Sequence, residues 1–174
     1  MPIKKFITED LNKNTVKSII LLKKNYWDFN LKSQYLWFKK NAFKKDLHFM
    51  FYIKKDLIGY VHLGKRSFFE IKKKEIGKKK EYILFRNLIV KDSFREKGIA
   101  SKIMTSVNNY LKKVKKTSFL ICKKKTIKFY KKNNWSNIIK SNFVIKDHSH
   151  KLYGMTYPSL SKKNIKKYIF YYNK

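Results

Sequence analysis

The stretch that most constrains this chain runs from Tyr82 to Trp135, and its centre is Arg95-Glu96-Lys97-Gly98-Ile99-Ala100. Ahead of the centre, Tyr82-Ile83-Leu84-Phe85-Arg86-Asn87-Leu88-Ile89-Val90 is mostly apolar and β-prone, which predicts a strand. Lys91-Asp92-Ser93-Phe94 then makes a turn. Behind the centre, Ile99, Ile103, Met104, Val107, Tyr110, Leu111 and Val114 recur at the spacing of one helical face. The glycine therefore stands between a strand's end and a helix's start. The first amides of a helix have no intrahelical partner, and the helix dipole is positive there. A glycine lets an anion approach that backbone closely. The stretch predicts an anion cradle suited to a phosphate or pyrophosphate.

Two other phosphate loops are excluded. No Gly-Lys-Ser/Thr follows, so this is not a Walker loop, and the dinucleotide fingerprint needs three glycines. Arg95, Gly98 and Ala100 instead fill a pattern that resembles the Arg/Gln-x-x-Gly-x-Gly/Ala loop of the GNAT acyltransferase superfamily. About thirty residues on, Thr126-Ile127-Lys128-Phe129-Tyr130-Lys131-Lys132-Asn133-Asn134-Trp135 resembles the second signature of that superfamily, Ala-x-x-Phe-Tyr-x-x-x-Gly-Phe. Thr126 stands for its alanine, Asn134 for its glycine and Trp135 for its phenylalanine. Asn tolerates the left-handed conformation that ends a helix, so Asn134 can serve there.

The resemblance implies an α/β fold with a central mixed sheet flanked by helices. In it the Tyr82 and Ser118 strands are parallel neighbours that splay apart, and acetyl-coenzyme A enters the notch as co-substrate. The backbone from Arg95 through Glu96, Lys97, Gly98, Ile99 and Ala100 to Ser101 would hold the pyrophosphate. The edge of Leu88, Ile89 and Val90 would pair with the pantetheine amides, as an added strand does, and a backbone amide there would polarise the thioester carbonyl. Lys97, Lys123 or Lys124 could meet the 3′-phosphate.

Tyr130 matches the general-acid tyrosine of the superfamily. An ordinary phenol is protonated at pH 7 and can donate to the departing thiolate; the alternative is a ring stacked beneath the cofactor. Cys122 ends a predicted strand and reads as a buried structural thiol rather than a nucleophile. The general base stays open. Many relatives carry a glutamate where this chain has Arg86, followed by Asn87, and neither is a carboxylate. Glu81, Glu70, His62, His148 and His150 are the other candidates, each of them with a surface or packing role as the simpler reading.

The 174 residues suit a single domain, 1–174, with a tail from 158. Ile3–Thr8 reads as a strand, and Glu9-Asp10 as a helix start continuing through Leu11, Val16, Ile19, Ile20, Leu22 and Lys23. Tyr26-Trp27-Asp28-Phe29 and Leu36-Trp37-Phe38 form an aromatic-rich segment with a second short helix. Superfamily members use this region to shape the acceptor pocket, although core packing explains most such rings. Leu47–Ile53 and Leu57–Leu63 read as a hairpin that Phe68–Ile71 extends. Lys72 to Lys80 reads as a charged loop, and Ser118–Cys122 as a buried parallel strand. Ser141–Lys146 and Leu152–Tyr157 read as a last antiparallel pair around Asp147-His148-Ser149-His150. Ile165, Tyr168, Ile169 and Tyr172 read as a helical stripe in the tail.

The net charge of +33 admits two accounts. A basic chain can meet nucleic acid or an anionic membrane. Yet Arg66, Arg86 and Arg95 are the only arginines, Ala42 and Ala100 the only alanines, and Lys, Asn, Ile, Phe and Tyr abound. That is the residue set of A/T-rich codons, so solvated lysine faces are the favoured account and nucleic acid the lesser one. The single cysteine excludes an internal disulfide framework and a multi-cysteine metal site. With neither a long apolar span nor a secretory core, the expectation is a cytoplasmic protein without membrane contact, monomeric or homodimeric. The acceptor is expected to be a small-molecule amine, an amino sugar or similar. The segment after Trp135 bears a faint likeness to aminoglycoside 2′-N-acetyltransferases. A protein N-terminus, a lysine or aminoacyl-tRNA, or a catalytically silent coenzyme-binding module, are the alternatives.

Overall fold

A computed structural model describes residues 3–72, 75–146, 152–160 and 167–172. The chain is a mixed α/β protein and divides into two compact units, residues 1–64 with 85–107, and residues 65–84 with 108–174. Strands β3 (Asp56–Lys72) and β5 (Lys80–Val90) and helix α3 (Ile99–Val114) each run from one unit into the other.

In the first unit, β1 (Ile3–Ile7), β2 (Leu47–Ile53) and the first part of β3 pair antiparallel, with Phe49 opposite Lys5 and Val61. Helix α1 (Lys13–Lys24) starts later than the acidic pair at Glu9-Asp10 suggests, and Thr8–Asp10 forms a short 3-10 turn instead. The reason is the cap. The Asn12 side chain accepts from the Thr15 amide at 2.9 Å, which satisfies an orphan donor that a dipole-aligned carboxylate leaves unmet. Asn30 caps α2 (Leu31–Asn41) in the same way through the Ser33 amide. Ile19, Leu22, Phe38, Ala42, Met50, Leu57, Tyr60 and Ile89 form this unit's core. Gly59 lets α3 approach β3: a Cβ there would lie 2.7 Å from Ile103 Cδ1 and 3.1 Å from Phe51 Cβ.

In the second unit β5 pairs in parallel with β6 (Ser118–Cys122) at Ile83–Ser118 and Leu84–Phe119. Strand β9 (Tyr153–Tyr157) lies antiparallel to β6 and to a short strand, β7 (Ser136–Ile138), that the sequence does not announce. The two-residue β4 (Glu75–Ile76) folds back on β3 inside the expected charged loop. Helix α4 (Ile127–Lys132) carries the second motif.

Two expectations fail here. β8 (Phe143–Lys146) does not pair with β9; it lies parallel to β10 (Lys167–Tyr171), which also pairs antiparallel with β3. The expected helical stripe of the tail is therefore a strand at 167–171. Tyr168, Phe170 and Tyr172 are all buried, a period of two, and the run Tyr-Ile-Phe-Tyr-Tyr is β-prone. Their rings complete the unit's core. Phe170 stacks on Phe119 with centroids 3.9 Å apart and meets Tyr82 edge-on at 5.1 Å. Ile165, Asp147, His148 and His150 lie outside the described residues.

Candidate active site

The first motif folds as a strand–turn–helix in the first unit. Ile89 and Val90 at the end of β5 are buried, and Leu88 is half-buried. The Lys91 amide donates to Ile58 O at 2.8 Å, which ties the strand's end to β3. A 3-10 turn over Asp92–Phe94 follows, closed by Phe94 and Arg95 amides on the Lys91 and Asp92 carbonyls. Glu96 and Gly98 both take left-handed backbone angles, φ +62° and +71°, and α3 begins at the next residue, Ile99. An added Cβ on Gly98 would meet nothing within 4 Å. Glycine is needed there for its φ, and the space over its backbone is open. Ile99 is buried, Ala100 half-buried and Ser101 exposed.

Side chains brace this turn. Arg95 pairs with Asp92 at 2.7 Å, donates from Nε to the Tyr26 hydroxyl at 2.8 Å, and lays its guanidinium 4.5 Å from the Tyr26 ring centroid. The Tyr26 hydroxyl in turn donates to Val90 O. One phenol thus joins the strand's end to the loop's arginine. Lys97 donates to Ser93 O at 3.1 Å. In sequence Tyr26 is one aromatic among several, and nothing marks it as a brace.

A cavity of about 340 Å³ opens beside the same unit's helices. Trp27, Phe29 and Trp37 give its apolar walls, and Lys23, Gln34 and Asn87 its polar groups. Lys23 is only 3% exposed. Its ammonium sits 3.6 Å from the Trp37 ring centroid and 5.9 Å from that of Trp27. Burial, and then the Arg86 charge, pull its pKa down to about 8. The Arg86 guanidinium is 5.8 Å from the Trp37 ring, and its Nη1 donates to Asn41 Oδ1 at 3.4 Å. Asn87 takes φ +57° in β5, and its Nδ2 is buried with no hydrogen-bond acceptor among the described residues.

Of the groups weighed as bases, Glu81, Glu70 and His62 are engaged elsewhere, and His148 and His150 lie outside the described residues. Glu81 pairs with Lys116 and Glu70 with Lys80. His62 is buried and donates from Nε2 to Asp46 Oδ2 at 3.0 Å. Its ring stacks on His48 with centroids 4.9 Å apart. His48 lies between the hydroxyls of Thr8 and Tyr60, each at 2.8 Å. Burial, with the neighbouring His62, drives the His48 pKa down to about 3. This is a buried structural network, and sequence reasoning missed its extent. Among the described residues no three metal-ligating side chains come together, and no helix is long and apolar enough to cross a membrane.

The second motif lies in the second unit. Tyr130 is half-buried on α4, edge-on to Phe129 with centroids 5.2 Å apart. Burial pushes its phenol above the ordinary value, and Cys122 and Tyr172 add to that, so it keeps its proton at neutral pH. Asn134 takes φ +66°, the left-handed angle expected of it. Trp135 is buried and donates from Nε1 to Asn108 Oδ1 at 3.0 Å, while Asn108 Nδ2 donates to Asn133 O. Burial raises the Cys122 thiol, which a hydrogen bond with Thr126 opposes; it is not a ready nucleophile.

No curated protein matches the sequence. Escherichia coli ElaA has a similar fold, with a TM-score of 0.63 at 10% identity, over 89% of this chain and 97% of that one. An aminoglycoside 6′-N-acetyltransferase solved with coenzyme A is similar at TM-score 0.60 and 11% identity, over 90% and 96%. The ribosomal-protein-S18-alanine N-acetyltransferase of Escherichia coli is similar at TM-score 0.60 and 12% identity, over 92% and 98%. At such identities the likeness is one of fold. The family model described as an acetyltransferase (GNAT) domain matches residues 44–137, more than half of the chain. The chain belongs to the GNAT acetyltransferase family.

Proposed function

We propose that this acetyltransferase moves the acetyl group of acetyl-coenzyme A directly to a primary amine of a small molecule, both held at once. The observation that carries this reading is the turn before α3, with Glu96 and Gly98 left-handed and open space above Gly98. Such a turn presents the first amides of α3 to an anion, and a diphosphate suits it. The aminoglycoside enzyme of similar fold was solved with coenzyme A, as was Bacillus subtilis YlbP, which supports the same co-substrate here. Arg95 through Ser101 would hold the pyrophosphate, and Leu88–Val90 the pantetheine arm. Bound, the thioester supplies the acyl group.

The chain's own residues then have three tasks. The backbone of the turn fixes the diphosphate. The cavity beside α1 and α2 receives the amine. Tyr130 keeps a proton that it gives to the leaving thiolate and regains from solvent, while the amine nitrogen loses its surplus proton to water. An N–C bond forms, a C–S bond breaks, and the protons balance. A small acceptor is favoured over a macromolecule because Asn87, on the same strand as Leu88, lines a cavity of small-ligand size.

Calorimetry with coenzyme A tests the reading. Gly98→Glu places a side chain and a negative charge in the open space, and affinity is expected to drop about 100-fold or more. Gly98→Asn tolerates the left-handed angle and separates crowding from strain: it is expected to fold as the parent does and still bind less tightly. Parental affinity in the folded Gly98→Glu protein would put the cradle elsewhere.

A further inference from the structure

The cavity beside α1 and α2 has an unusual charge balance. Lys23 is a cation whose side chain is shielded from water, and buried charges are as a rule paired or hydrogen-bonded. Here the neighbours are two indole rings and a second cation, Arg86. No lining residue is a carboxylate, and among the described residues Lys23 makes no ion pair. Cation–π contact softens the loss of hydration without neutralising the charge. Asn87 also lines the cavity, and its Nδ2 is a buried donor with no acceptor among the described residues; buried polar groups seldom stay unmet. Gln34 is fixed, its Nε2 donating to Trp27 O at 3.3 Å. Among the described residues, one cation thus lacks an anionic partner and one amide donor lacks an acceptor oxygen, and a single carboxylate could serve both.

We propose that the acceptor is a compact amine carrying a carboxylate, with Lys23 as the cation that meets the carboxylate and Asn87 as a second donor. This rests on the acetyltransferase reading and names its substrate class. Trp27 and Trp37 offer faces on which a flat or apolar body lies. The volume, about 340 Å³, is near the lower end for ligand pockets and suits an amino-acid-sized molecule. A polycationic amino sugar is disfavoured, because it would bring like charge against Lys23 and Arg86. Asn87 immediately precedes Leu88, so an acceptor held there lies next to the strand assigned to the pantetheine arm.

The experiment has two arms. In the first, thiol release from acetyl-coenzyme A is followed with pairs of amines that differ by the carboxylate alone, phenylalanine against phenethylamine and tryptophan against tryptamine. The kcat/KM ratio within a pair is expected to favour the carboxylate by about tenfold or more, the worth of one charge-assisted hydrogen bond. Lys23→Met should bring the ratio near one, and Lys23→Arg should keep it. Phosphoethanolamine against ethanolamine shows whether a phosphate serves as well. A ratio of one in the parent, kanamycin as the better acceptor, or an unchanged ratio in Lys23→Met overturns the proposal.

The second arm needs no turnover. Phenylacetate has the ring and the carboxylate without the amine. It is expected to quench the fluorescence of Trp27 and Trp37 saturably, and less in Lys23→Met, with the buried Trp135 as constant background. Absence of quenching at millimolar phenylacetate, in a protein that binds coenzyme A, overturns the carboxylate-binding pocket alone. Quenching in a protein that never binds coenzyme A overturns the acetyltransferase reading alone.

Discussion

The turn at Arg95–Gly98 is made of backbone, whereas the cavity over α1 and α2 is made of side chains. The turn needs left-handed angles at Glu96 and Gly98 and a helix that begins next. Few residue types satisfy the Gly98 angle, so a local pattern marks the place. The cavity needs Lys23 from α1, Trp27 from the connection, Trp37 from α2 and Asn87 from β5. No spacing rule links these four. On the proposed function the difference separates a co-substrate site, which backbone can build, from an acceptor site, which side chains must build.

The sharpest way to break that division is at Tyr130, a side chain that the motif does mark. Removing the hydroxyl alone, Tyr130→Phe, keeps the ring against Phe129 and Trp135. General acids contribute about 10²–10⁴-fold, and water can partly substitute, so kcat is expected to fall about 100-fold. Coenzyme A affinity should stay the same, because the proton is given in the transition state. A kcat within about twofold of the parent, with chemistry limiting, would leave Tyr130 as a stacking residue.

Legibility divides along the same line. The strand Lys80–Val90 and the helix Ile99–Val114 follow from periodicity and residue type, and the left-handed Asn134 from its place at the glycine of the signature it resembles. β10 was not legible as a strand, because 165, 168, 169 and 172 fit a helical stripe while the burial of Tyr168, Phe170 and Tyr172 is decided by Phe119, Phe68 and Tyr82 far away in sequence. The pairing of β8 was illegible for the same reason. Lys23 is one lysine among many in a lysine-rich chain, and only its burial distinguishes it.

Acid offers a second probe, aimed at a region built wholly from side chains. His48 has a folded pKa of about 3 against about 6.5 unfolded. Between those values the unfolded chain binds the extra proton, so stability rises with pH and is lost as pH falls below about 6.5. One proton gives a slope of about 1.4 kcal/mol per pH unit in that window. Urea midpoints across pH 4–6.5, parent against His48→Gln, isolate it, since the other charges are common to both. Equal slopes would mean that His48 is not held neutral between Thr8 and Tyr60.

The smallest expected effect tests whether the backbone turn stands alone. Tyr26 comes from the same connection as Trp27, yet its hydroxyl joins Val90 O to Arg95 Nε. If backbone angles suffice for the turn, Tyr26→Phe leaves coenzyme A affinity as it is. If the loop must be braced, the variant loosens it. The ring would remain under the guanidinium, and Arg95 would keep Asp92. The Arg95 side chain is 47% exposed, so water replaces part of the lost bond and solvent screens the charge. The expected loss is therefore about threefold to tenfold in affinity, below the full worth of a buried charge-assisted bond. Calorimetry with coenzyme A measures it, and Arg95→Lys, which keeps charge and loses the planar fork, gives the comparison. Parental affinity in Tyr26→Phe together with a loss in Arg95→Lys would show that the arginine acts without its brace. Equal losses in both, and no further loss in the double variant, would show that the two residues act as one unit.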